Sequence, residues 1–187
     1  MRWLGLALIV LVTACSAGDM ETMAEQAVAG RRHAEARRYY ERLAERDPLN
    51  EDYLLWVGRL SGWLKEYDDA DRTYDRVLTQ QPRNVEALVG KAYIAIWQER
   101  FDDAETLLAT ASGIAPENVE VQLARARSYR NQGRLERAAS IVVDLLERAP
   151  DNTEAHELRA AVTDTPRPSG FFERMRATLR RSICGNA

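Results

Sequence analysis

Four prolines, Pro48, Pro82, Pro116 and Pro150, stand at one constant interval in this chain. Asn50, Asn84, Asn118 and Asn152 follow each proline by two places, and Ala36, Ala70, Ala104 and Ala138 precede each by twelve. A period of this length confines a chain to repeat architectures. Each unit reads as two short amphipathic helices, with the proline closing the second. A single pair of that kind cannot bury its own apolar faces, so the pairs must stack. The expected fold class is therefore all-α.

The third unit, Val85 to Asn118, shows the pattern most clearly. Ala87, Leu88, the stem of Lys91, Ala92, Ala95 and Ile96 recur at intervals of three and four, the spacing of one helical stripe. Arg100 and Phe101 read as a turn. Asp102 and Asp103 read as the start of a second helix, where carboxylates cap free amides and meet the positive end of the dipole. Ala104, Leu107, Leu108 and Ala111 form its stripe, and Pro116 stops it. Gly58, Ala92 and Ala126 share one phase of the repeat, and Ala70, Ala104 and Ala138 another. Small side chains at both places let the two helices of a hairpin approach closely. Tyr67, Phe101 and Leu135 share a third phase and are expected to plug each hairpin at its turn end.

On Val57–Gly58, Ala70, Tyr74 and Pro82 in the unit from Glu51 to Asn84, the chain resembles the tetratricopeptide-repeat (TPR) family. The resemblance implies a right-handed superhelical solenoid of helix hairpins over residues 20–163. Its units are 20–50, 51–84, 85–118 and 119–152, with a capping helix over 153–163. The first unit is degraded, with Ala24 where the family carries glycine, as an end unit facing water tolerates. The family's frame also implies a concave groove lined by the first helix of each unit. Carried onto this chain, that frame places Leu55, Trp56, Arg59 and Trp63 on the groove from the second unit. Val89, Tyr93, Ile96 and Trp97 come from the third, and Leu123, Arg127, Arg130 and Asn131 from the fourth. Trp and Arg dominate interfaces when they are desolvated, and Arg grips carboxylates with two parallel hydrogen bonds. Two structural readings stand beside this one. The tryptophans pack between units, or Arg59 and Arg127 pair with carboxylates such as Asp52, Glu86 and Glu120. The Lys and Asn set of the family's carboxylate-clamp branch is missing.

The two ends differ from the repeats. Met1-Arg2 is a short positive start, followed by an apolar run from Leu4 to Val12. That run is shorter than the roughly 20 residues a membrane span needs, and it fits the core of a signal peptide over 1–14. Val12-Thr13-Ala14-Cys15 resembles the bacterial lipoprotein signal, which implies cleavage before Cys15 and lipidation of its sulfur and amine. Several acyl chains anchor far more firmly than one. Residues 15–19 would form the tether, and Ser16 after the cysteine implies the periplasmic face of a Gram-negative outer membrane. An ordinary signal peptide cut nearby is the other reading. Cys184 is then either a free thiol or half of an intermolecular bridge.

Residues 164–170 read as a linker. Residues 171–187 read as a basic amphipathic helix, Phe171 to Ile183, and a tail; Phe171, Phe172, Met175, Leu179 and Ile183 fall in one helical arc and Arg174, Arg176, Arg180 and Arg181 opposite. From Thr165 onward there are five basic residues and one acidic, against 20 basic and 28 acidic between Cys15 and Asp164. The basic helix either contacts anionic lipid or a partner, or folds back on the acidic repeats. An acidic body with an export signal argues against nucleic acid.

No catalytic constellation stands out. His33 and His156 lie far apart in the repeat and lack metal-ligand neighbours. No phosphate-cradling glycine loop or nucleophile elbow occurs. The pairs Asp68-Asp69 and Asp102-Asp103 stand one repeat apart at helix starts. That placement reads as capping rather than acid–base chemistry. The expectation is a protein that binds without a cofactor. Its partner would be a protein or peptide segment of the cell envelope, or alternatively an exopolysaccharide stacked on Trp63 and Trp97.

Overall fold

The computed structural model describes residues 16–163. The signal segment 1–14, Cys15, the linker 164–170 and the basic helix 171–187 lie outside them. So do Phe171, Phe172, Arg174, Met175, Arg176, Leu179, Arg180 and Arg181 on that helix, and Cys184. The described residues form nine α-helices and no strand, the all-α class that the period requires. They are α1 (Ala17–Ala29), α2 (His33–Arg46), α3 (Glu51–Trp63), α4 (Tyr67–Gln80), α5 (Val85–Trp97), α6 (Phe101–Ile114), α7 (Val119–Asn131), α8 (Leu135–Arg148) and α9 (Thr153–Thr163). The chain divides into two compact units, Met1–Pro116 and Glu117–Ala187. The described part of the first holds α1–α6, that of the second α7–α9.

The period is written in the backbone as well as in the side chains. Each second helix of a hairpin ends two places before a proline. The residues between, Asp47, Gln81, Ala115 and Ala149, have φ between −130° and −139° and ψ between 73° and 84°. Proline's ring disfavours the helical region for its predecessor, which forces this exit. Two places after each proline the asparagine restarts the helix. The Asn84 side chain accepts from the Ala87 amide at 2.9 Å, Asn118 from Val121 at 3.1 Å and Asn152 from Ala155 at 2.8 Å. Asn50 accepts from Asp52 at 3.1 Å. Each such N-cap contributes about 1 kcal/mol.

Inside each hairpin the turn is equally regular. Arg31, Lys65, Glu99 and Gly133 share one phase of the repeat and all have positive φ, at 55°, 64°, 59° and 73°. Each follows the end of a first helix and donates back into it. Lys65 reaches the Gly62 carbonyl at 3.0 Å, and Glu66 the Ser61 carbonyl at 2.9 Å. This is the Schellman closure, in which one left-handed residue satisfies the last helical carbonyls.

Two expected helix starts are corrected. Arg100 and Phe101 do not form a turn together, because α6 begins at Phe101 with Arg100 as its N-cap. The acidic pairs do not cap amides either: no side-chain capping bond exists at the start of α4 or α6. Asp69 instead takes the Arg72 guanidinium, and Asp103 that of Arg100 at 2.7 Å. The preceding closure already orients the chain there, leaving the carboxylates to the dipole of the first turn. The helical region also begins earlier than residue 20. Ser16 caps α1, accepting from the Asp19 amide at 3.1 Å while Asp19 accepts from the Ser16 amide at 3.0 Å. This reciprocal capping box pulls Ala17, Gly18 and Asp19 into the helix. Those bonds to Ser16 hold the Asp19 carboxyl below its ordinary pKa.

In the first unit the core is built where helices pack across hairpins. Ala24, Ala27, Ala36, Tyr40, Leu43 and Leu60 form one buried cluster, and Leu54, Ala70, Tyr74, Val77, Ala87 and Ile94 another. Tyr40 and Tyr74 hold the same place in successive repeats but are packed differently. Tyr40 stacks face to face on Trp56, centroids 5.4 Å apart and planes 8° apart. Tyr74 passes between two glycines: a Cβ on Gly58 would come within 2.9 Å of its ring and one on Gly90 within 2.3 Å. In the second unit Leu123, Ala126, Val142, Leu145, Leu158 and Val162 close a cluster among α7, α8 and α9.

Candidate functional site: an aromatic cleft at the hairpin turns

Within the first unit an open cleft of about 600 Å³ lies at the turn end of the hairpins. Its wall is made by two copies of one ring pair, a repeat apart. His33 opens α2 and lies 4.9 Å from the Trp63 ring at the end of α3. Tyr67 opens α4 and lies 6.2 Å from the Trp97 ring at the end of α5. The pairing repeats because a first-helix end meets the start of the preceding second helix at the same step of the period. Tyr93, one turn before Trp97, stacks on it with centroids 6.0 Å apart. Gly62 lets Trp97 in: a Cβ there would come 2.8 Å from the Trp97 ring and 2.8 Å from Ile94.

The tryptophans are not consumed by this packing. Trp63 is 41% exposed and Trp97 39%. Val28 and the left-handed residues Arg31 and Lys65 complete the lining. No carboxylate lines the cleft. Among the described residues Arg31 and Lys65 make no side-chain ion pair, whereas neighbouring Arg32, Arg37, Arg59, Lys91 and Arg100 all do.

The residues expected on a groove separate into three groups. Leu55, Val89, Ile96 and Leu123 are buried and offer a ligand nothing. A first helix flanked by its own partner and by the next hairpin is covered over more than one stripe. The second group is occupied within the repeats. Trp56 is covered by Tyr40 on one side, and Arg59 lies 4.9 Å over its ring. Arg59 also pairs with Glu86 of the next repeat at 2.6 Å. In the second unit Arg127 pairs with Glu154, and Arg130 donates to Asn131 at 3.1 Å. Burial pushes the Tyr74 hydroxyl well above its ordinary pKa, with Arg59 nearby acting in the opposite direction. In the third group, Trp63 and Trp97 line the cleft, and Tyr93 stacks on Trp97.

Sequence reasoning passed over Val28, Arg31, His33, Gly62 and Lys65, although the signal was there. Arg31 and Lys65 share the phase of Gly133, and His33 that of Tyr67. Only a backbone conformation makes the first phase meaningful, and only a neighbouring helix makes His33 part of an aromatic wall. Among the described residues there is no cluster of three or more His, Cys, Asp or Glu placed to hold a metal, and no helix long and apolar enough to cross a membrane.

Models of the tetratricopeptide repeat match residues 64–127 and 95–162, and a second model of that repeat matches 22–61. No curated protein is matched in sequence. Among solved structures, a thermophilic TPR protein of Thermus thermophilus superposes with a TM-score of 0.64 at 16% identity, over 88% of this chain and 100% of that one. MamA from Desulfovibrio magneticus gives 0.61 at 16% identity, over 89% and 90%. YrrB, a TPR protein with an unusual peptide-binding site, gives 0.57 at 16% identity, over 76% and 74%. At these identities the likeness is one of fold.

Proposed function

The chain belongs to the tetratricopeptide-repeat family, and we propose that it is a non-enzymatic scaffold of the cell envelope that grips a segment of a partner polypeptide. Lipid on Cys15 would hold it to the periplasmic face of the outer membrane. The carrying observation is the cleft. Trp63 and Trp97 keep about two-fifths of their surface open beside one another, on a frame set by the repeat. Exposed tryptophans on rigid helix ends are preformed anchors, because little side-chain freedom is lost when they are covered. The peptide-binding site of YrrB supports a polypeptide as the class of partner. Catalysis has no support in the described residues: the strongly raised hydroxyls, those of Tyr53 and Tyr74, are explained by a carboxylate bond and by burial.

Anchoring would act through concentration. A tethered scaffold meets a membrane partner at an effective concentration set by its reach, which strengthens a modest contact without adding any new one. Here the reach is short, because Ser16, next to Cys15, is already the cap of α1. Crosslinking in intact cells and purification of the chain is expected to recover one specific envelope protein. Trp63→Ala with Trp97→Ala is expected to lose it while the helical content stays intact. Cys15→Ser is expected to move the chain from the membrane to the soluble fraction. Recovery of the same partner by the double tryptophan variant would refute the role of the cleft. A Cys15→Ser chain still in the membrane fraction would refute the anchor.

A further inference from the structure

We infer that the cleft takes an acidic segment of the partner, with one aromatic or aliphatic side chain inserted between Trp63 and Trp97. The inference rests on the scaffold reading and adds the chemistry of what is held. Its first ground is charge. The body of the chain is acidic, with 20 basic and 28 acidic residues from Cys15 to Asp164 inclusive. Yet the cleft is lined by Arg31 and Lys65 and by no carboxylate. Of the acids just outside it, Glu66 is taken by Arg37 and Asp69 by Arg72, and Asp68 stands beside them. Screening limits each charge to about 8–10 Å at physiological salt, so the two local cations outweigh the distant acidic excess for a group inside the cleft.

The second ground is where those cations stand. The left-handed place of the four turns is held by Arg31, Lys65, Glu99 and Gly133 in order. Glycine takes that backbone without steric cost, and longer side chains do not. The two places that face the cleft both carry a cation. The third carries an acid and the fourth a glycine, and neither lines the cleft. The turn therefore takes a cation, an acid or a glycine there, and the two cations are not required by it.

The third ground separates a peptide from a sugar. Stacked carbohydrate needs acceptors as well as donors for its hydroxyls. Arg and Lys only donate, and the lining's side-chain acceptors are limited to the Tyr67 hydroxyl and the His33 ring. Carboxylates match that donor-rich rim, and an apolar anchor matches the rings of Trp63, Trp97, Tyr67 and His33. The chain's own tail is a poor occupant, since its five basic residues and one acidic from Thr165 onward repeat the charge of the rim.

The test uses the purified full chain and short fluorescein-labelled peptides read by anisotropy. One peptide is glutamate-rich with a central leucine, one replaces that leucine by serine, and one replaces the glutamates by lysines. The first is expected to bind about tenfold more tightly than either other, with affinity that falls as salt rises. Arg31→Gly with Lys65→Gly removes both cations and suits the left-handed backbone, so its folding is secure. It is expected to lose the preference for the glutamate peptide about tenfold while its melting temperature holds or rises. Equal binding of the glutamate and lysine peptides, or an unchanged preference in the glycine variant, would overturn the acidic partner and leave the scaffold standing. Quenching of tryptophan by polyuronate with no peptide bound would overturn both readings. Absence of any binding would overturn the acidic segment as well.

Discussion

Gly133 has φ of 73° and open space where a Cβ would project. Replacing it with alanine therefore tests backbone conformation and nothing else. Glu99 holds the same place one repeat earlier, at φ 59°. Gly133→Ala is expected to cost about 1 kcal/mol and Glu99→Gly to gain about 1 kcal/mol, both read by urea denaturation. Another single residue ties the first two repeats through a titrating bond. The Tyr53 hydroxyl donates to Glu21, and that bond pushes its pKa up to about 12. The proton is held more tightly folded than unfolded, where tyrosine ionises near its ordinary value of about 10. Stability from this bond is complete below about pH 10 and is lost as pH climbs toward 12. Tyr53→Phe is expected to lose less stability than the parent between those limits in alkaline melting curves. Tyr53 gives no such signal in the sequence, because Glu21 lies in another repeat and meets it only when α1 and α3 are brought together.

At the scale of the helix, an asparagine starts α3, α5, α7 and α9, and the acids that open α4 and α6 do not cap. Asn84→Ala removes the bond to the Ala87 amide. It is expected to cost about 1 kcal/mol. Asp102→Ala removes an exposed charge from the first turn of α6. It is expected to cost only about 0.3 kcal/mol. Thermal melts of the two variants side by side check the ranking. Helix identity and length were legible because apolar spacing and proline both report on the local chain. The period of the asparagines was equally plain, but its meaning was not. Capping is a hydrogen bond between a side chain and an amide three places on, and the sequence shows two candidate sets of caps without saying which has the geometry. The Schellman closure resolves it: it orients the second helix and leaves the acids free to pair with Arg72 and Arg100.

At the scale of the whole molecule, contacts within each of the two units run between helices adjacent in sequence or between first helices of adjoining repeats, such as α3 with α5 and α7 with α9. Stability in such a chain is a sum of local terms. Leu158 lies in the buried cluster of α7, α8 and α9. Leu158→Ala is expected to cost about 3 kcal/mol there. Hydrogen exchange should accelerate in those three helices and stay unchanged in α1–α4; acceleration throughout would contradict a sum of local terms. The same locality explains what could be read in advance. Helix class, repeat length and the positions of the breaks depend on residues a few places apart, so the sequence by itself determined them. Which first-helix residues stay open depended on how completely neighbouring hairpins cover each helix. Leu55, Val89, Ile96 and Leu123 were buried by that covering, and Trp63 and Trp97 were left half open by it. The cleft itself joins Val28, Arg31, Lys65 and Trp97 across more than two repeats. Only tertiary structure could decide it, because the distance between such residues is set by stacking and not by the chain that links them.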